Sequence, residues 1–180
     1  MEKLWAPWRV EYIERGNQKG CIFCNAGNLI YKDYTLYTGK YSVALLNKFP
    51  YNNAHILIAP KRHEANLENL PVEESTDLQR LMNESIAILK EVYKPEGFNI
   101  GMNLGKAAGA GIADHLHWHV VPRWNGDANF MPIVSEIRVM PEHLRRTFEK
   151  LKPLFRRGDG KTPSTTTTQA LAAHTAIAQP

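Results

Sequence analysis

The stretch His115-Leu116-His117-Trp118-His119-Val120-Val121 constrains this chain more than any other. Histidine alternates with apolar residues at a period of two, the spacing of a β-strand, whose successive side chains point to opposite faces. Read as a strand from His115 to Pro122, it sets three imidazoles along one face, ~7 Å apart. Leu116, Trp118 and Val120 then share the other face and can enter a core. Three of the chain's seven histidines in register are too regular to be stray core histidines. Two chemistries fit. His-x-His on a strand can chelate a metal when another ligand arrives from elsewhere. Alternatively, one imidazole attacks phosphorus and later departs from the phosphoramidate, while its neighbours hold the phosphate.

The rest of the chain supplies a sheet around that strand. Asp33 to Thr38, Tyr41 to Asn47 and Ala54 to Ala59 are short apolar runs bounded by Gly39-Lys40, Pro50 and Pro60, and Phe98 to Leu104 is a fourth. Glu64 to Leu70 reads as a loop or short helical turn. From Val72 to Tyr93 the period changes: Leu78, Met82, Ser85, Ile86, Leu89 and Tyr93 form one helical stripe, with Pro71 at its entrance and Pro95-Glu96-Gly97 as its stop. Pro141 to Phe155 repeats the pattern with Leu144, Phe148, Leu151 and Phe155. Short strands joined by loops, with one long helix, predict an α+β fold on an antiparallel sheet of about five strands. Residues 1–155 would form one domain. The Thr- and Ala-rich segment 156–180 shows no periodicity and reads as a flexible tail.

Composition narrows the partners. Among 180 residues, 43% are hydrophobic and 22% charged, as in soluble globular domains, and no apolar run approaches the ~20 residues that span a bilayer. The N-terminus lacks the apolar core of a signal peptide, so a cytoplasmic protein with no membrane partner is expected. The net charge of +4 is spread along the chain rather than gathered into a stripe. That favours small anions over nucleic acid. The two cysteines, Cys21 and Cys24, form a C-x-x-C pair. It suits a metal knuckle or a redox pair, although the βαβ surroundings of a redox motif are missing.

The alternating run resembles the His-φ-His-φ-His-φ-φ motif, with φ apolar, that names the histidine-triad (HIT) family. Ala44-Leu45-Leu46-Asn47, His55-Ile56-Leu57-Ile58-Ala59-Pro60-Lys61-Arg62-His63 and Asn103-Leu104-Gly105 resemble the family's earlier blocks in the same order. Leu4-Trp5-Ala6-Pro7-Trp8-Arg9 and Pro122-Arg123-Trp124-Asn125-Gly126-Asp127-Ala128-Asn129-Phe130 are similar to its bacterial diadenosine-tetraphosphate phosphorylase branch.

The resemblance implies the HIT fold and a nucleotidyl transferase or hydrolase acting on a nucleotide or dinucleoside polyphosphate, with phosphate as a possible co-substrate. His117 matches the residue that carries the nucleotidyl-histidine intermediate, and His119 the residue serving the phosphate and leaving group. Asn47 matches a ribose ligand, Asn103 an asparagine near the phosphates, and His55 a supporting histidine. Family members often carry Gly-Gln-Ser/Thr before the triad. Here the segment is Gly109-Ala110-Gly111-Ile112-Ala113-Asp114, so phosphate contacts would fall to backbone N–H groups around Gly109 and Gly111; a plain connecting turn is the other reading. Zinc-bearing members imply a structural Zn²⁺ site of Cys21, Cys24, His63 and His115, and the family implies a homodimer. Phosphorolysis of diadenosine tetraphosphate to ADP and ATP is the favoured expectation; the alternatives are a dinucleoside polyphosphate or nucleoside phosphoramidate hydrolase of the same family, a hydrolase that uses the triad as metal ligands, and a nucleotide- or RNA-binding module without catalysis.

Overall fold

Ser42–Leu46 and Ile56–Pro60 are the strands on which the sheet is built, and every residue in both is buried. Their apolar runs are continuous rather than alternating because both faces of the sheet are covered at this point. A computed structural model describes residues 20–26, 31–127 and 140–155 of the chain. Within them, β1 (Thr35–Thr38), β2 (Ser42–Leu46), β3 (Ile56–Pro60), β4 (Gly97–Gly101) and β5 (Trp118–Arg123) form one sheet in the order β1-β2-β3-β5-β4. All four pairings are antiparallel. The expected α+β fold with a five-stranded antiparallel sheet is therefore the fold observed.

One face of the sheet carries the helices. Helix α1 (Val72–Tyr93) buries Leu78, Leu81, Met82, Ser85, Ile88 and Leu89. It ends where Lys94 turns left-handed at φ 46° and returns its N–H to the carbonyl of Lys90. Ser85 is satisfied within the helix, its hydroxyl donating to the Leu81 carbonyl at 2.7 Å. Helix α2 (Leu144–Phe155) adds Thr147, Leu151 and Phe155, and Lys152 pins it to β1 by donating to the carbonyls of Thr35 and Leu36. These helices close over Leu36, Ala44, Leu46, Ile56, Ile58 and Val120. On the opposite face, Val43, Leu45, Leu57 and Ala59 lie under Phe23 and Ala26 of the turn at residues 21–26. β4 is an outer strand, with Ile100 exposed.

The boundaries differ from expectation where turn chemistry intervenes. Ala54 sits at φ 56°, a left-handed conformation that cannot begin a strand, so β3 starts at Ile56. β5 starts at Trp118 instead of His115. β3 and β5 pair through Ile58↔Trp118, and two steps further the partner of Leu116 would be Pro60, which has no N–H to donate. Leu116 instead donates its N–H to the Glu64 carbonyl at 2.7 Å. β4 stops at Gly101 opposite His119, which leaves Asn103 beyond the strand. Residues Leu67–Asn69 form a short 3₁₀ turn, and α2 begins at Leu144 rather than Pro141.

The tail expected from residue 156, and the family-like segments before residue 20 and after residue 127, lie outside the described residues. Among the described residues no helix is long and apolar enough to cross a membrane.

Leu151 is fully buried between α2 and the sheet-facing core. Leu151→Ala is expected to lower unfolding free energy by about 2–5 kcal/mol, measured by urea denaturation, if α2 belongs to the cooperative domain.

Candidate active site and metal centre

The early end of the β3–β5 ladder shapes the site. His115 and His117 precede β5, and His119 lies within it. His115 points its Nε2 at the Pro60 carbonyl, 2.8 Å away. A carbonyl only accepts, so Nε2 carries the proton and Nδ1 keeps its lone pair. That lone pair meets the cysteine turn: His115 Nδ1 lies 3.1 Å from Cys21 Sγ, 3.6 Å from Cys24 Sγ and 3.2 Å from His63 Nδ1. Cys24 Sγ is 3.3 Å from His63 Nδ1.

The four donor atoms lie within 4.8 Å of one another and could hold a metal ion. Metal–nitrogen bonds of about 2.0 Å and metal–sulfur bonds of about 2.3 Å give a tetrahedron with edges of roughly 3.3–3.8 Å. Four of the six separations are 3.1–3.6 Å, close to those edges, and all six lie within 4.8 Å. A donor set of two thiols and two imidazoles, one oriented by a backbone carbonyl, is the chemistry of a closed site without an open position for water. The thiols of Cys21 and Cys24 are not joined to each other. Of the three alternating histidines, His115 is the one in this group.

His117 is engaged differently. Its Nδ1 donates to the carbonyl of His115 at 2.9 Å, which leaves Nε2 as the basic nitrogen. The side chain is buried. Burial lowers its basicity, against the pull of that carbonyl, so the ring is neutral at pH 7.

His119 belongs to a second chain of hydrogen bonds. The Tyr51 backbone N–H donates to His55 Nδ1 at 3.1 Å, and Asn47 Nδ2 reaches the same nitrogen at 3.2 Å. His55 must therefore carry its proton on Nε2, which donates to His119 Nδ1 at 3.0 Å. The proton of neutral His119 is in turn on Nε2. That atom is buried and has no hydrogen-bond partner among the described residues. Burial, then the His119 and His117 charges, brings His55 down to about 3; burial, then His117, brings His119 to about 4.

Two features of the site carried no signal in the alternating histidines. Phe23, between the two cysteines, is buried and packs on both His115 and His117, with ring centroids 5.0 and 4.9 Å away. An aromatic inside a C-x-x-C turn is the sequence signal for such a contact. The second feature is the hold on the loop between β2 and β3. Asn52 Nδ2 donates to the Pro122 carbonyl at 3.1 Å and to Asp127 Oδ2 at 2.7 Å, while Arg123 grips both oxygens of Asp127.

The remaining expected residues fall into two groups. Asn47 sits at the end of β2, its Oδ1 accepting from the Phe49 N–H at 2.9 Å, and so meets His55 rather than standing apart. Asn103 and the glycine segment contact one another, Asn103 Nδ2 lying 3.4 Å from the Gly109 carbonyl. Gly109 needs to be glycine, since its φ is +86°. The N–H groups of Ala108, Gly109 and Ala110 are spent on the carbonyls of Gly105 and Lys106. Gly111 is exposed, and its neighbour Ile112 packs onto the cluster around Phe23. Among the described residues no hydrogen bond joins Asn103 or Gly109 to the histidines.

Comparisons with known proteins show the family and the fold. The family model described as the HIT domain matches residues 30–126. An AP-4-A phosphorylase of Mycobacterium tuberculosis is 38% identical over 157 residues, 82% of this chain and 80% of that protein. A bis(5'-adenosyl)-triphosphatase of Dictyostelium discoideum is 30% identical over 140 residues, 74% of this chain and 93% of that one. Among solved structures, a Zn-bound histidine triad family protein of Mycobacterium smegmatis superposes with a TM-score of 0.59 at 27% identity, covering 76% of this chain and 94% of its own.

Cys24→Ser should reduce bound metal, read by elemental analysis, from about one ion per chain to a small fraction of that, while β2 and β3 stay folded. For the relay, His55 binds a proton less readily in the fold than at its ordinary value of 6.5. Its contribution to stability is complete above about 6.5 and is lost as pH falls toward about 3. Between pH 7.5 and pH 5, wild type should lose about 1–2 kcal/mol more stability than His55→Gln, measured by urea unfolding at both pH values.

Proposed function

Since the chain belongs to the HIT family, we propose that it is a nucleotidyl transferase that splits dinucleoside polyphosphates, diadenosine tetraphosphate foremost, by phosphorolysis at an α-phosphate. The observation that carries this reading is the pair of imidazoles with opposite, fixed tautomers. His117 offers a lone pair at Nε2 because Nδ1 is spent on the His115 carbonyl. His119 offers a proton at its buried, unpartnered Nε2 because His55 donates to its Nδ1. A nucleophile beside a proton donor is what in-line displacement at phosphorus requires. The name of the Mycobacterium tuberculosis relative supports the substrate; the triphosphatase of Dictyostelium discoideum supports hydrolysis as the second reading.

In the first step His117 Nε2 forms a bond to the α-phosphorus as the bond from that phosphorus to the bridging oxygen breaks. The departing oxygen takes the His119 proton or its hydrogen bond, and ATP leaves. In the second step an oxygen of hydrogen phosphate attacks the same phosphorus, its proton returning to His119 if that ring gave one up, the N–P bond breaks, and ADP departs with His117 restored. Water in place of phosphate would give AMP. Asn47 binds the ribose, Asn103 stands by the phosphates, and the segment at Gly109 and Gly111 lines the phosphate path; His55 sets the tautomer of His119.

Cys21, Cys24, His63 and His115 hold a structural zinc ion in this reading, which the Zn-bound relative supports. Bound there, zinc supplies rigidity rather than an activated water. His115 is the shared residue, a ligand through Nδ1 and an acceptor for His117 through its carbonyl. We further assign a homodimer, with the exposed outer strand β4 as its seam, acting in the cytoplasm on nucleotides rather than on nucleic acid.

The test is incubation with diadenosine tetraphosphate with and without phosphate. ADP plus ATP formed only with phosphate is the expected outcome. AMP plus ATP without phosphate would assign a hydrolase, and no turnover on any nucleotide would refute the enzymatic reading. His117→Ala should lower turnover by more than about 10³-fold with metal content unchanged. Loss of the metal in that variant would sink the separation of nucleophile from ligand.

A further inference from the structure

The order of protons in the His55–His119 pair is set by donors that one loop delivers. That loop joins β2 to β3, and two of its backbone N–H groups bear on the pair. The Tyr51 N–H donates to His55 Nδ1. The Phe49 N–H donates to Asn47 Oδ1, which turns the other end of that amide, Nδ2, toward the same ring nitrogen. The two donors to His55 differ in kind. A side-chain amide can rotate and offer its oxygen instead, whereas a backbone N–H can only donate. The Tyr51 N–H is thus the group that gives the pair its direction.

Direction matters because two imidazoles in line have two self-consistent states. With His55 Nδ1 accepting, its Nε2 proton faces His119 Nδ1 at 3.0 Å. His119 then keeps its own proton on Nε2, which is buried and has no hydrogen-bond partner among the described residues. If each ring's proton moves to its other nitrogen, the hydrogen bond between the rings survives in reverse. His119 would then present a lone pair where the proton stood. His117 already presents a lone pair at Nε2, so neither ring would offer a proton there.

Next in sequence to Tyr51, Asn52 anchors the loop. Both hydrogens of its amide go to acceptors beyond the loop, the Pro122 carbonyl at 3.1 Å and Asp127 Oδ2 at 2.7 Å. Its oxygen takes the Asn53 N–H at 3.0 Å. Asp127 is itself fixed. Arg123 grips both its oxygens at 2.7 and 2.8 Å, the Trp124 N–H adds a bond at 3.0 Å, and the guanidinium holds the carboxyl well below the usual carboxylate range. Arg123 is braced in turn on Asn99 of β4. Asn52 therefore makes a charge-assisted hydrogen bond, stronger than a neutral one, to an anion seated at the end of β5. His119 lies in that same strand. The loop with the fixed donor and the strand with the ring it serves are joined through this amide.

We infer that Asn52, seated on Asp127, is a positioning residue for His119: it holds the Tyr51 N–H on His55 Nδ1 and so keeps the His119 proton on Nε2. The inference deepens the nucleotidyl-transfer reading above and rests on it for its catalytic meaning.

The test is Asn52→Asp, which matches the side chain in volume, keeps an acceptor for the Asn53 N–H and removes both donors. Wild type and variant, with histidine enriched in the heavy nitrogen isotope, are compared by NMR at neutral pH, where protonated and bare ring nitrogens differ widely in chemical shift. Wild-type His119 should carry its proton on Nε2. In Asn52→Asp the two His119 nitrogens should draw toward an averaged shift, while His117, ordered by the His115 carbonyl, should stay as it is. A merely structural role would lower the urea midpoint and leave the His119 nitrogens unmoved, and that result overturns the inference. So does a wild type whose His119 proton sits on Nδ1, a measurement that needs no variant to fold. Should Asn52→Asp fail to fold, Asp127→Asn weakens the seat by removing its charge and should move the same nitrogens in the same direction; no movement there is equally fatal. Catalysis is read on two aryl esters of AMP, one whose nitrophenolate leaves without a proton and one whose phenol needs it. Asn52→Asp should lower kcat on the phenyl ester roughly tenfold more than on the nitrophenyl ester, a small part of what a positioned acid supplies. Equal losses on the two esters would overturn the positioning role. A wild type that turns over neither ester nor diadenosine tetraphosphate refutes the proposed function, and the NMR comparison then still decides whether Asn52 orders the pair.

Discussion

Pro60 is the residue on which the site depends. It closes β3, and without an N–H it cannot extend the ladder to Leu116. The strand that would have run straight from residue 115 is released, and its backbone finds other partners. Leu116 turns its N–H to Glu64. The Pro60 carbonyl takes the Nε2 proton of His115, which turns Nδ1 toward Cys21, Cys24 and His63. The His115 carbonyl accepts from His117. A regular ladder through this segment would have required those backbone groups for itself. One missing donor thus turns one imidazole toward the two cysteines and orients the neighbouring ring.

The two hydrogen-bond chains also solve an electrostatic problem. Four imidazoles lie within a small buried volume, and protonation of any one opposes protonation of the others. Burial and that mutual repulsion keep His55 and His119 far below the ordinary histidine range. A neutral cluster can be ordered by tautomers, each ring donating at one nitrogen and accepting at the other. The order begins at backbone groups, the Pro60 and His115 carbonyls on one side and the Tyr51 N–H on the other, so the rings inherit the rigidity of the sheet.

Much of this was legible in the sequence because it depends on periodicity and residue type. The change from period two to period 3.6 at Val72 marks the helix, and the observed span Val72–Tyr93 coincides with the expected one. The alternation at 115–119 correctly separates histidines from core residues. The join of Cys21-x-x-Cys24 with His63 and His115 came from resemblance rather than from spacing, since ligands so far apart in the chain leave no local pattern. Three things were hidden. The break at Pro60 depends on a pairing register, which no single segment encodes. Ala54 adopts a left-handed conformation usually left to glycine or asparagine, so its loop read as strand. The Asn52–Asp127–Arg123 grip joins residues more than seventy positions apart, and nothing in either segment announces the other.

Phe23 gives the turn at residues 21–26 a consequence beyond the ion its cysteines could hold. The turn lies over the sheet face opposite the helices, anchored by Phe23 and Ala26 in the core, by the hydroxyl of Thr35 on the Ala26 carbonyl, and by the thiols. A short unit with so few anchors detaches at lower free energy than the strands beneath it. When it lifts, Phe23 leaves His115 and His117 together. The rate at which the buried face of His117 meets solvent then depends on how long this turn stays attached, and any ion held by the two cysteines would slow that breathing.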